Sequence, residues 1–273
     1  MIDGTVWAVR LVRKRKVKIL YCGDIVGRAG RNAIIKHIKD VREKFKADAV
    51  IVNAENITNG RGLKKKDYDR LMRLGVFAIT MGNHTFSQSD IKNYINDSKV
   101  IRPANFNSNL GDGYKILNYN DKKVCVVNLL GRVYMNNMSL DNPFTVMDNI
   151  LEDIKGKYDY IIVDIHAEAT SEKIAFGLDF DGKVDAVVGT HTHVPTTDER
   201  ILPKGTLYVT DIGMTGPLNG VLGDDADAII ERFRTGIYTP TPVTKVKAVQ
   251  FNAVVLDIND NKNSIKRIRD IKK

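Results

Sequence analysis

The chain has 273 residues, enough for one large domain or two small ones, and its 43% hydrophobic content suffices for a substantial buried core. The formal charge is +9, but residues 1–18 contribute +5 and residues 261–273 another +5, which leaves −1 for residues 19–260. Basicity confined to the ends argues against nucleic-acid binding as the primary role. No apolar stretch approaches the roughly 18 residues that span a bilayer, and two cysteines inside apolar runs exclude a disulfide framework.

Residues 1–16 read MIDGTVWAVRLVRKRK, with the apolar patch before the charges, the reverse of a secretory signal. They are expected to form a basic N-terminal extension to a single domain over residues 17–273, in a cytoplasmic protein. Strand-like runs rich in Val and Ile then recur at 17–22, 49–54, 76–81, 124–130, 160–165, 184–189 and 206–211. Most are continuously apolar rather than alternating, as expected of strands covered on both faces. Helix-like segments at 31–45 and 66–75 separate the early runs, so the order is β-α-β-α-β and the fold class α/β. Another helix is expected over 220–236, followed by closing strands in VKAVQFNAVVLDIND and SIKRIR.

Polar residues gather where these runs end. Four of the five histidines lie in three clusters, GNHT (82–85), HAE (166–168) and THTH (190–193), while Asp24 and the pair Glu55–Asn56 end two earlier runs. Ligands of α/β sheets collect at the carboxyl ends of strands, so strands sharing a sheet would bring these donors to one edge. Imidazole with carboxylate suits Fe, Mn or Zn, and the cysteines stand apart, which favours a catalytic over a structural centre.

A single ion needs about four protein ligands, and the donors Asp24, Glu55, Asn56, Asn83, His166, His191 and His193 exceed that, so two ions are expected. Two divalent ions with Asp24, Glu55 and a bridging hydroxide would leave a net +1, a charge that attracts a phosphoester and stabilises its transition state. His84, next to Asn83, is placed to give a proton to a departing alkoxide, with a structural role beside the site as the alternative. His37, between lysines in the first helix, reads as a surface residue. In DIVGRAGR (24–31), Gly27 and Gly30 before a helix could offer N–H groups to an anion, although such glycines more often serve only the turn.

The segments GDIVG, NAEN, GNHT, RPAN, HAEATSEKIAFG, GTHTHVPTTDERILPKGT and TDIGMTG occur in the order found in the YmdB-like branch of the calcineurin-like metallophosphoesterases, and over residues 17–258 the chain resembles that branch. The resemblance implies a metallophosphoesterase sandwich of two central β-sheets flanked by helices. It implies Asp24, Asn56 and His193 on one metal, Asn83, His166 and His191 on the other, Glu55 bridging, and His84 as catalytic acid. It further implies iron or manganese, with iron favoured, and phosphodiesterase activity on 2′,3′-cyclic nucleotides.

Against the wider superfamily, Asp24 lacks the usual histidine two residues on, Glu55 replaces a bridging aspartate, and Thr85 rather than an acid follows His84. Phe86 and Ser87 stand where the branch commonly has an acidic or amide residue, so the group that orients His84 is open. The alternatives are a phosphomonoesterase or RNA nuclease built on the same metals, or a non-catalytic nucleotide-binding regulator. The substrate partner is a small cyclic nucleotide, with no membrane partner, nucleic acid secondary, and homo-oligomerisation open.

Overall fold

The computed structural model describes residues 16–135, 139–238, 240–244, 248–260 and 262–272. The basic segment expected to precede the domain therefore lies, but for Lys16, outside the described residues. In chain order the elements begin with β1 (Lys16–Cys22), α1 (Gly27–Phe45), β2 (Ala49–Asn53), α2 (Lys65–Arg73), β3 (Ala78–Thr80) and β4 (Val100–Ile101). They continue with β5 (Tyr114–Tyr119), β6 (Lys122–Leu130), α3 (Pro143–Asp153), β7 (Tyr160–His166), α4 (Thr170–Asp179), β8 (Ala186–Thr190), β9 (Arg200–Ile201) and β10 (Leu207–Val209). Last come β11 (Gly216–Pro217), α5 (Ala226–Thr235), β12 (Val249–Asn259) and β13 (Ser264–Lys272).

The strands form two mixed sheets. One runs β11-β12-β1-β2-β3-β4 with β13 on the far side of β12, and the other runs β5-β6-β7-β8-β10-β9. The continuous apolar runs follow from this layering. In β1, Val17, Ile19 and Tyr21 meet Val126, Ile162 and Val188 between the sheets, while Leu20 and Cys22 face outward onto Ile34 and Ile38 of α1. On the other outer face Cys125, Val127, Ile161 and Val163 pack against Met147 and Ile150 of α3 and Phe176 of α4. Each central strand is thus covered twice, and the order of layers is helix, sheet, sheet, helix. Cys22 and Cys125 are buried free thiols, as expected.

Several local expectations change. The helix expected over 220–236 starts only at Ala226, where Asp225 caps it by accepting from the Ala228 N–H at 3.1 Å. Residues before it turn back instead, through Leu222 (φ 54°) and Gly223 (φ 100°). The first helix begins at Gly27, four residues early, and Gly27 has φ 57°. Its N–H donates to Asn56 O at 2.9 Å, so it is not offered to an anion. A Cβ on Gly30 would lie 2.2 Å from Thr215 O. These glycines serve the turn and the packing. His37 is half-buried, edge-on to Phe251, rather than fully on the surface.

Among the described residues no helix is long and apolar enough to cross a membrane.

Candidate metal centre

The donors do converge, but across two sheets rather than along the edge of one. Asp24, Glu55 with Asn56, and Asn83 with His84 follow β1, β2 and β3 of the first sheet. His166 ends β7, and His191 and His193 follow β8, in the second. In both sheets the parallel strands leave their carboxyl ends at the same rim, and the apolar core between the sheets stops there.

His166 Nε2 is the hub of one cluster. Asn83 Oδ1 lies 3.1 Å from it, Glu55 Oε1 3.2 Å and His191 Nδ1 3.0 Å. Glu55, His166 and His191 each offer one atom within 4.8 Å of the others, the geometry of a metal-binding group. Glu55 also reaches sideways, accepting the His84 N–H on Oε2 at 2.9 Å.

A second group lies beside it. Asp24 Oδ2 accepts the His191 N–H at 3.2 Å, while Oδ1 is buried, has no hydrogen-bond partner among the described residues, and stands 3.9 Å from His193 Nε2. Asn56 donates its amide to Gly60 O at 2.9 Å, which leaves its Oδ1 equally buried and unpartnered. Buried oxygens without partners are costly, so two of them in one site fit residues that bind a cation.

The hydrogen bonds on the far side of each imidazole fit the same purpose. His193 Nδ1 donates to Leu222 O at 2.7 Å, which leaves Nε2 free to ligate. Thr190 Oγ1 donates to Asp164 Oδ1 at 2.7 Å and so accepts from His166 Nδ1 at 2.8 Å, turning Nε2 to the site. His191 Nε2 contacts Glu168 Oε2 at 3.2 Å, leaving Nδ1 facing His166. A carboxylate or carbonyl behind a histidine is the usual way in which a ligating ring is held in one tautomer.

Electrostatics point the same way. Burial alone would raise the Glu55 carboxyl and lower the His166 imidazole, but their mutual attraction reverses both, holding the carboxyl down and the imidazole up; a cation on His166 Nε2 would take the place of the proton there. Burial, helped by the charge on His166, pushes the His191 imidazole down to about 3, which keeps it neutral with a lone pair available. Asp24 is raised to about 6 by burial, with His193 and His166 opposing. A divalent cation would relieve that penalty.

His84 is held on three sides. Besides the bond from its N–H to Glu55, Asn83 Nδ2 lies 3.3 Å from its Nε2, and Ser87 Oγ lies 3.4 Å from its Nδ1. Ser87 thus supplies the contact that the sequence left open. Burial lowers the imidazole below its ordinary value; Glu55 opposes this and Arg61 adds to it.

All eight residues singled out from the sequence lie in this region, and others escaped notice there. Asp164 lies inside the 160–165 run and Thr190 opens the THTH cluster; both are buried, and neither was given a role. Glu168 stood in the HAE cluster without a role. Gly82 carried no signal, yet a Cβ on it would lie 2.3 Å from His166 Nε2 and 2.4 Å from Glu55 Oε2. His191 (φ 96°) and His193 (φ 64°) hold left-handed backbone, at a cost of about 1–3 kcal/mol each.

Comparison with known proteins gives this rim a context. A family model described as YmdB-like protein matches residues 20–271. The 2′,3′-cyclic-nucleotide 2′-phosphodiesterase of Bacillus subtilis (strain 168) is 43% identical over 257 residues, covering 93% of this chain and 96% of that protein. A crystal structure of a novel phosphatase from Mycoplasma pneumoniae superposes with a TM-score of 0.89 at 40% identity, covering 95% of each chain. That of a hypothetical protein from Thermus thermophilus gives 0.88 at 35% identity, covering 94% of this chain and all of the other.

Proposed function

The chain belongs to the YmdB-like family and is a phosphodiesterase or phosphatase hydrolase, and from that premise we propose that it hydrolyses 2′,3′-cyclic nucleotides to nucleoside monophosphates with two metal ions, iron or manganese. Iron is favoured. One observation carries the reading: Asn83 Oδ1, Glu55 Oε1 and His191 Nδ1 meet His166 Nε2 within 3.2 Å, beside the unpartnered Oδ1 atoms of Asp24 and Asn56.

In this reading Asn83, His166 and His191 would hold one ion, Asp24, Asn56 and His193 would hold the other, and Glu55 would serve both. When bound, such a pair supplies hydroxide at neutral pH and neutralises charge on the phosphoryl oxygens. The protein's own part in the proton inventory falls to His84. As a hydroxide oxygen bonds to phosphorus and the bond from phosphorus to one ribose oxygen breaks, that ribose oxygen takes a proton from the His84 imidazolium, which is left neutral. Ser87 contacts the ring at Nδ1, and the bond from the His84 N–H to Glu55 ties its backbone to a proposed metal ligand. The unit that carries this chemistry is proposed to be one domain over residues 17–273.

Metal analysis of protein purified without added metal, followed by a phosphoester panel on the same sample, tests the proposal. Two ions per chain and a preference for 2′,3′-cyclic nucleotides over monoesters and short RNA are expected. Preference for RNA with steep salt dependence would make it a nuclease instead, and metal-replete protein that turns over no phosphoester would overturn the enzymatic reading altogether.

A further inference from the structure

His191 and His193 stand on backbone that side chains other than hydrogen rarely allow, and two buried charges reach that segment from different elements. Lys173, on α4, is fully buried. Its Nζ donates to Thr190 O at 2.7 Å and to Asp211 Oδ2 at 2.7 Å. Asp211 follows β10 and is 1% exposed. On the same Oδ2 it accepts the Thr192 N–H at 3.1 Å and the Thr192 hydroxyl at 2.8 Å, and on Oδ1 the Gly213 N–H at 2.7 Å. The residue before His191 and the residue between the two histidines are therefore tied to one ion pair. The route is kept open by Gly189, where a Cβ would lie 2.9 Å from Lys173 Cδ and 1.7 Å from Thr210 O.

We propose that the Lys173–Asp211 pair is a positioning clamp that holds the 190–193 segment in its left-handed backbone and so aims the His191 and His193 imidazoles at the two metals. The inference rests on the metal-site reading above. A purely structural role accounts poorly for the pair, because a buried ion pair is a weak source of stability and apolar residues of similar volume often serve as well or better. A lysine beside a dication site would also repel its metals unless neutralised, and Asp211 provides that neutralisation. What the pair adds over an apolar replacement is its three bonds to the histidine segment: one to a carbonyl, one from an N–H and one from a hydroxyl.

The test uses Mn²⁺ binding by equilibrium dialysis, with thermal melting as the check on folding. Wild type should bind Mn²⁺, and wild type that bound none would sink the metal reading and the clamp with it. The double variant K173M/D211N has no unpaired buried charge. It should melt near wild type yet bind Mn²⁺ about 10–100-fold more weakly, the usual cost of losing a group behind a metal ligand, with turnover restored by excess Mn²⁺. Thr192→Ala deletes only the hydroxyl contact of the clamp and should weaken binding by less than about tenfold with melting unchanged. If K173M/D211N folds and binds Mn²⁺ as tightly as wild type, the clamp is overturned while the metal site stands. If K173M/D211N does not fold, Thr192→Ala decides, and unchanged Mn²⁺ affinity there overturns the clamp.

Discussion

Gly82→Ala adds one methyl group at the point where both sheets meet the candidate metal centre. Its Cβ would stand 2.3 Å from His166 Nε2, 2.5 Å from His166 Cδ2 and 2.4 Å from Glu55 Oε2. Contacts of a real Cβ below 3.0 Å are essentially never seen, so something must move by at least about 0.7 Å. Neither neighbour is free to do so alone. His166 is fully buried with Nδ1 held by Thr190, and Glu55 Oε2 holds the His84 N–H. Metal-ligand distances tolerate only about 0.2 Å, and a misplacement of about 1 Å near reacting groups can cost on the order of 10²-fold in rate. Overpacking of this kind costs about 1–3 kcal/mol, so the variant should remain folded. Metal content per chain, a thermal melt and turnover of 2′,3′-cyclic AMP at saturating Mn²⁺ form the assay. Folded protein with reduced metal content and a rate down by about 10²-fold or more is expected. A folded Gly82→Ala protein with wild-type metal content and wild-type turnover would refute the argument that these two side chains must stay where they are.

His84→Ala should keep its metals and lose about 10²- to 10⁴-fold in turnover, the range for general acid catalysis; metal analysis separates this from a ligand defect, and full diesterase activity would show that the acid is another group. Thr190→Val removes the acceptor behind His166 Nδ1 and a donor to Asp164. Mn²⁺ affinity should fall about 10–100-fold, and an unchanged dissociation constant in equilibrium dialysis would deny that link a role. The Asp198 carboxyl is partly buried, which alone would raise it, but hydrogen bonds from Thr196 and Thr210 outweigh burial and hold it below the usual carboxylate range. Its stabilisation is therefore present above the unfolded-state value of about 3.9 and lost as pH falls through the lower folded value. Between pH 7 and pH 3 the melting temperature of wild type should drop further than that of Asp198→Asn, and equal drops would contradict the assignment.

Much of the fold was legible because its central strands are covered on both faces. Continuous apolar runs such as those of β1, β2 and β7 carry that signal locally, and a polar residue ending each run marks the rim of a sheet. Asp24, Glu55, Asn83, His166 and His191 were found in this way. The edges were not legible. β5 is half-exposed along most of its length, so YKILNY lacks the run that identifies a buried strand, and β4, β9 and β11 have two residues each. The late start of α5 depends on which residue caps it, and Leu222 is needed in the preceding turn as the carbonyl for His193.

The sequence by itself therefore determined the α/β class, the positions of the buried strands and which residues are candidate donors, since each depends on residue type and on spacing within a few residues. Only the tertiary structure decided that the donors come from two sheets, which nitrogen of each histidine faces the centre, and that Gly82, Thr190, Lys173 and Asp211 lie against the donors or the segment that carries them. Those features depend on contacts between residues far apart in the chain: 83 positions for Asn83 and His166, 167 for Asp24 and His191, 38 for Lys173 and Asp211. No local pattern encodes them, because a glycine that must lack a Cβ, or a lysine that must reach one carbonyl, is specified by its neighbours in space.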